Sequence, residues 1–142
     1  IRSLSSNQYQ QSIQLYVDRF YDTGKVKVIT EDADIKLFLE EFRMNPRESI
    51  DLVDRIMFPR EMPPDSALIG CIRQIVERLK LGTDYNALYA DLSGFSRDIF
   101  FKSLRWILMR ETGGIELEKI FMLIKKKDLL LERAEKAARA IK

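Results

Sequence analysis

Asp98, Lys102, Arg105, Trp106 and Met109 recur at i, i+4, i+7, i+8 and i+11 within YADLSGFSRDIFFKSLRWIL, the stretch from Tyr89 to Leu108. On a helix turning by about 100° per residue they share one face, opposite Phe100, Phe101, Leu104 and Leu108. Lys102 and Arg105, with Arg97 at the start of the same helix, could contact phosphates or guanine edges. Asp98 would repel phosphate, and Trp106 with Met109 offers apolar area that a DNA groove seldom uses. Trp, Met and Arg together are instead the composition enriched at protein interfaces, which makes Lys102, Arg105, Trp106 and Met109 a candidate partner-binding face.

The same stretch partly matches a helix-turn-helix over residues 85–110. Ala90 stands four before Gly94, Ser96 can cap the second helix, and Phe100 falls where an apolar lock belongs. Ser93 and Ser103 occupy places that want apolar residues, although adjacent Leu92 and Leu104 could substitute in a shifted register. A corner between two core helices is the leading reading of this stretch. A partner surface comes next, and a DNA reader using Arg97, Lys102 and Arg105 comes last.

Other chemistry is scarce. The sequence contains no histidine, which removes the commonest general base near neutral pH and the commonest metal ligand. Ser-His-Asp, Cys-His and HExxH sites are therefore impossible. Gly113 and Gly114 are not followed by the Lys-Ser/Thr pattern of a phosphate loop. The acids Glu31, Asp32 and Asp34, or Glu40 and Glu41, could in principle hold a hard cation, but neighbouring acids on a helix diverge into solvent. Cys71 lies in the apolar run ALIGCIRQIV, where a lone thiol reads as a small buried hydrophobe. No catalytic residue, cofactor or metal site is expected, and the chain is read as non-enzymatic.

Composition sets the frame for these residues. The sequence has 142 residues, of which 46% are hydrophobic and 32% charged, with Lys+Arg 24 against Asp+Glu 22 and a formal net charge of +2. That is an ordinary globular balance, and its weak positive bias is small for a protein held mainly by phosphates. No apolar run approaches the roughly 18 residues of a membrane span, and no signal peptide begins the chain. A single cysteine fits a reducing compartment, so an intracellular, cytoplasmic or nuclear protein is expected. The start at Ile1 and the helical end AEKAARAIK without a stop signal suggest a piece of a longer polypeptide.

The elements that must position the candidate face are helices, since 3.6-residue periodicity recurs in segment after segment. The spacing predicts an all-α orthogonal bundle of about six to eight helices, seven on the direct count, with a long C-terminal helix. The first runs from about Asn7 to Asp22 with Tyr9, Ile13, Tyr16, Val17 and Phe20 on one face and Gly24 closing it. KVKVIT alternates like a strand but has no partner strand, so it reads as an extended connection. Thr30 can cap a second helix to about Met44 carrying Ile35, Phe38, Leu39 and Phe42. Asn45 and Pro46 start a third, with Glu48 completing a capping-box-like arrangement.

FPREMPPDS is the strongest break, because Pro59, Pro63 and Pro64 cannot continue a helix interior. It reads as a plain connection rather than a polyproline ligand. The chain is read as a single helical domain, 1–142, within which loop 59–65 is where two subdomains would meet. Asp65 or Ser66 caps a fourth helix with Leu68, Ile72, Ile75, Val76 and Leu79 buried, ended by Gly82. Thr83 caps a short fifth with Tyr85, Leu88, Tyr89 and Leu92 inward. Ser96 caps the sixth, which Thr112, Gly113 and Gly114 end.

The seventh helix runs from Ile115 to the end, with a near-heptad stripe of Leu117, Ile120, Ile124, Leu131, Ala134 and Ala138 interrupted at Lys127 or Asp128. Lys125, Lys126 and Lys127 point three ways and read as a solvated turn. Residues after about Arg133 are helix-prone but poor in core, and are expected to be dispensable for folding. The functional expectation is a protein-interaction or scaffolding module of a larger protein or assembly, binding a protein partner or a second copy, with a nucleic-acid-binding domain as the alternative.

Overall fold

The computed structural model describes residues 5–20, 31–42, 45–114 and 116–141, and these form eight α-helices and one 3-10 turn with no strand among them. The chain divides into two compact units, residues 1–58 and 59–142. The regular structure of the described residues is all helical, and within each unit the helices pack on one another.

The first unit contains α1 (Ser6–Phe20), α2 (Ala33–Phe42) and α3 (Pro46–Met57). Each begins on a side chain that satisfies orphan helix N–H groups. Ser5 and Gln8 form a reciprocal capping box at the start of α1, with Gln8 N donating to Ser5 Oγ and Ser5 N to Gln8 Oε1, both at 3.1 Å. Asp32 Oδ1 accepts from the backbone N–H groups of Asp34 and Ile35, so it starts α2. Asn45 Oδ1 accepts from Glu48 N at 2.9 Å ahead of Pro46, as the sequence predicts. Tyr9 and Ile13 are buried on α1, Ile35, Phe38 and Leu39 on α2, and Ile50, Leu52, Val53 and Ile56 on α3. Tyr9 Oη and Ser49 Oγ share a buried hydrogen bond of 2.6 Å that ties α1 to α3. The expected extended run KVKVIT, the Thr30 cap, the Gly24 stop and the side chains of Tyr16, Val17 and Phe20 lie outside the described residues.

The second unit contains α4 (Ile69–Lys80), α5 (Tyr85–Asp91), α6 (Arg97–Met109), α7 (Leu117–Lys126) and α8 (Leu130–Ala140), with the 3-10 turn Ser66–Leu68 leading into α4. Asp65 caps that turn. Gly82, at φ +81°, ends α4 with Gly82 N bonded to Leu79 O and Thr83 N to Arg78 O. This paired closure requires a left-handed residue and favours glycine there. Asp84, one residue beyond the expected Thr83, caps α5 through Ala87 N. Ser96 caps α6 through Ile99 N.

Two expectations are corrected in this unit. The long C-terminal helix is two helices, because Asp128 takes φ +60° and closes α7 with Asp128 N bonded to Lys125 O and Leu129 N to Ile124 O. The polar interruption of the heptad stripe is therefore a break between two helices, and Leu131 is exposed while Ala134 and Ala137 are fully buried. The second correction concerns the tail. α8 packs extensively on α4 and also on α6, and Ala134, Ala137 and Ile141 are buried, so the tail after Arg133 is packed and not a free projection.

At the centre lies α6, which packs on α4, α7 and α8. Its residues from Ser103 through Arg110 are all buried. The predicted inward residues Phe100, Leu104 and Leu108 lie in the core, but so does the opposite face. A helix wrapped on all sides has no solvent face along that length.

Candidate functional site

The expected partner face of α6 divides once the neighbouring elements are in place. Trp106 is 1% exposed, Met109 2% and Arg105 8%, whereas Lys102 stays exposed and pairs with Asp98 at 3.0 Å. Trp106, Met109 and Arg105 are therefore not an open partner surface, because α4, α7 and α8 close around a helix whose one-dimensional pattern suggests a free side. The nucleic-acid reading loses Arg105 for the same reason. Arg97 is exposed but lies over the rings of Tyr89 and Phe101, with Cζ 5.8 and 5.7 Å from their centroids, so it is held at the α5–α6 corner. Lys102, Arg97 and Arg105 do not converge on one surface that a groove could meet.

A different site emerges along one stripe of α6. Lys102, Trp106 and Arg110 follow at i, i+4 and i+8 and form one wall of a cleft of about 330 Å³. Met62, Pro63, Pro64, Asp65 and Leu68 line the other wall, with Glu111 and Thr112 at one end. The proline-rich segment holds this shape because its φ angles are restricted and its missing N–H groups need no partner. Trp106 Nε1 donates to Met62 O at 2.9 Å, pinning the loop to α6. The indole is thus both core and cleft wall, which accounts for its burial.

Arg110 is the least expected residue of the site. It takes φ +60° at the end of α6, a left-handed conformation that costs a non-glycine residue roughly 1–2 kcal/mol. Its guanidinium lies over the Trp106 ring at 4.2 Å from the centroid. One terminal nitrogen, Nη1, donates back to Trp106 O and Ile107 O at 3.3 and 3.4 Å. Cation stacking and charge at the negative end of the helix offset the backbone strain. Nε makes no hydrogen bond and lies 3.8 Å from Glu61 Oε2, an ion-pair distance beyond hydrogen-bond reach.

Two more arginines are buried nearby. Arg133 of α8 donates to Leu108 O, a second cation on the carbonyl end of α6. Arg105 packs against Gly114, where an added Cβ would lie 3.0 Å from its Nη1. Gly114 has φ +141°, so both the backbone and this close approach call for glycine. Burial lowers the pKa of Arg105, Arg110 and Arg133 from the ordinary arginine value, opposed by Glu111, Glu61 and Glu132 respectively. An arginine so displaced remains charged at neutral pH.

No protein-family model, curated protein or solved structure matches this chain. The residues and their arrangement alone carry the functional reading.

Lys102 and Trp106 of the expected site fall on the cleft, while Arg105 and Met109 do not. Sequence reasoning misses Arg110 because it follows the last helical turn, although its i+4 spacing from Trp106 is visible. It misses the loop residues Met62, Pro63 and Pro64 because they are distant in sequence and polyproline segments are usually mere connections. Elsewhere the described residues contain no group of three or more His, Cys, Asp or Glu side chains able to hold a metal. No helix among them is long and apolar enough to cross a membrane.

Cys71 is fully buried on α4 beside Ser103 of α6. Burial pushes its thiol pKa up from the ordinary value, with the Ser103 hydroxyl acting weakly the other way. The thiolate that would attack an electrophile is therefore suppressed. Alkylation of the native protein should proceed at least about a hundredfold slower than that of the urea-unfolded chain, since it must await an opening of the core. Mass-spectrometric counting of iodoacetamide adducts checks this; native labelling at the unfolded rate would place Cys71 at the surface.

Proposed function

We propose that this chain is a protein-interaction or scaffolding module without chemistry of its own, and that its docking cleft is the one between loop 62–65 and the Lys102–Trp106–Arg110 stripe. The observation that carries this reading is the composition of the cleft. One wall carries Lys102, Trp106 and Arg110, with the indole and the Arg110 guanidinium almost wholly buried, and the other presents the exposed Met62 and Pro63. Tryptophan and arginine are the residues most enriched among energetic anchors of interfaces, and here both are held rigid by packing before any partner arrives. A concave cleft that mixes Met62, Pro63 and Pro64 with the charged Asp65, Lys102, Arg110 and Glu111 suits an inserted peptide segment better than a flat protein face.

Selection of peptides from a random display library on the intact chain tests it. Trp106 is the sole tryptophan, so peptides seated in the cleft should change its fluorescence on saturation. Met62 and Lys102 are both exposed. The pair Met62→Ser with Lys102→Glu should weaken such peptides by about tenfold or more without altering the fold, the loss expected for rim and anchor contacts. Peptides indifferent to this pair and silent toward Trp106 would place binding elsewhere. Tight binding of mixed duplex DNA that collapses as salt rises would favour a nucleic-acid domain instead.

A further inference from the structure

The charges around the cleft are not equally free. The Asp65 carboxylate is committed to the Ala67 N–H at 3.0 Å. Glu111 faces Arg105 electrostatically. Lys102 pairs with Asp98 across one helical turn in solvent, a weak interaction that is easily exchanged. Arg110 differs from all of these. Its side chain is 6% exposed, its Nε makes no hydrogen bond, and the Glu61 carboxylate, 83% exposed, lies 3.8 Å from that nitrogen.

A buried guanidinium edge without a hydrogen bond is costly, and a charged acceptor would be held there more strongly than a neutral one. Glu61 stands close enough to screen the charge but remains almost wholly in water, so it gives up little when it turns aside. It sits two residues after Pro59 and two before Pro63, on the loop that forms the opposite wall.

Resting on the docking reading above, we propose that the occupant is an extended peptide segment with an acidic side chain, whose carboxylate takes the place beside Arg110 that Glu61 holds in the free protein. Lys102, two turns away along the same stripe, meets a second acid of the segment. Apolar side chains between the acids rest on Met62 and Pro63, the exposed apolar residues of the cleft. Glu61 is then an intramolecular competitor: it keeps the arginine edge screened while the cleft is empty and reduces affinity by the fraction of time it occupies that place.

The probe is an acetylated, amidated hexapeptide of alternating glutamate and leucine, titrated against the intact chain and followed through Trp106 fluorescence and the indole N–H resonance. A peptide with glutamine at each glutamate and inorganic phosphate serve as the other arms. The glutamate peptide should bind saturably, and the glutamine peptide at least about tenfold more weakly, the loss of one to two charge-assisted hydrogen bonds. Glu61→Gln should tighten binding by about threefold to tenfold, because it removes the competitor while leaving the loop intact. Lys102→Ala should weaken it by about threefold. Arg110→Gly, which suits the left-handed helix end, should reduce the difference between the two peptides to the roughly threefold that Lys102 supplies.

Equal binding of both peptides, with Trp106 responding, would overturn the acidic-segment proposal while leaving the docking cleft standing. No binding of either peptide, or a Glu61→Gln variant that binds no tighter, also overturns it. Phosphate producing the same saturable response at the same concentration would make the site a general anion pocket and overturn it likewise. Failure of the docking reading has a separate signature, namely display-selected peptides that never perturb Trp106.

Discussion

Trp106→Ala should destabilise the second unit by roughly 3–5 kcal/mol, the cost of truncating a buried large aromatic side chain. The indole is 1% exposed, carries the Arg110 guanidinium on its face and holds the loop through Met62 O. Its removal opens a cavity, strips the cation of its ring and releases the loop carbonyl in one step. For a unit of this size each kcal/mol lowers the thermal midpoint by about 4–8 °C, so the loss should exceed about 12 °C. Urea titration and calorimetry measure it directly. Trp106→Phe should retain most of the stability, because it keeps an aromatic surface and gives up one hydrogen bond worth about 1 kcal/mol. Wild-type emission should be strongly blue in a dilute sample. A Trp106→Ala protein of unchanged midpoint, or native emission like that of free indole in water, would put the ring at the surface.

Deleting residues 133–142 should abolish cooperative unfolding of the same unit. The deletion removes Arg133, whose guanidinium holds the carbonyl end of α6, together with the buried Ala134, Ala137 and Ile141. Two alanines at i and i+3, with Ile141 four further on, make a narrow seam along which α8 approaches α4. Little apolar area is at stake per residue, but the loss uncovers the α4 and α6 surfaces beneath them, and larger side chains there lose their cover at about 25 cal/mol per Å². Circular dichroism during heating, with dye binding to exposed apolar surface, distinguishes the outcomes. A truncated chain that melts sharply within a few degrees of the full one would show that α8 is an ornament.

The contrast between these residues and the sequence expectations has a physical basis. Signals that act over one helical turn are legible. Asn45 ahead of Pro46, Asp65, Ser96 and Gly82 act through bonds to neighbours two or three residues away, so residue type at a fixed offset suffices to place them. Apolar stripes on amphipathic helices are equally legible, as in Ile72, Ile75, Val76 and Leu79, all of which are buried. The all-helical class follows from these two kinds of local information. The left-handed Asp128 is half visible: a polar break in a heptad stripe marks the place, but nothing in aspartate itself tells a solvated turn of a continuous helix from a break between two.

The site residues required the tertiary structure. Periodicity identifies the apolar side of a helix that has one covered face, and α6 has none uncovered from Ser103 through Arg110. A long charged side chain can be buried whenever its head finds carbonyls or a ring, as Arg110 and Arg133 do at the end of α6, and sequence carries no record of which carbonyls will be within reach. The cleft likewise joins Met62 and Pro63 to Lys102, Trp106 and Arg110 across some forty positions. What the amino-acid sequence determined alone was the helical class, most helix starts and one face of most helices, because these depend on neighbours along the chain. The burial of Trp106, the strained Arg110 upon it and the cleft they share were decided only by tertiary packing, because they depend on which distant elements close over α6.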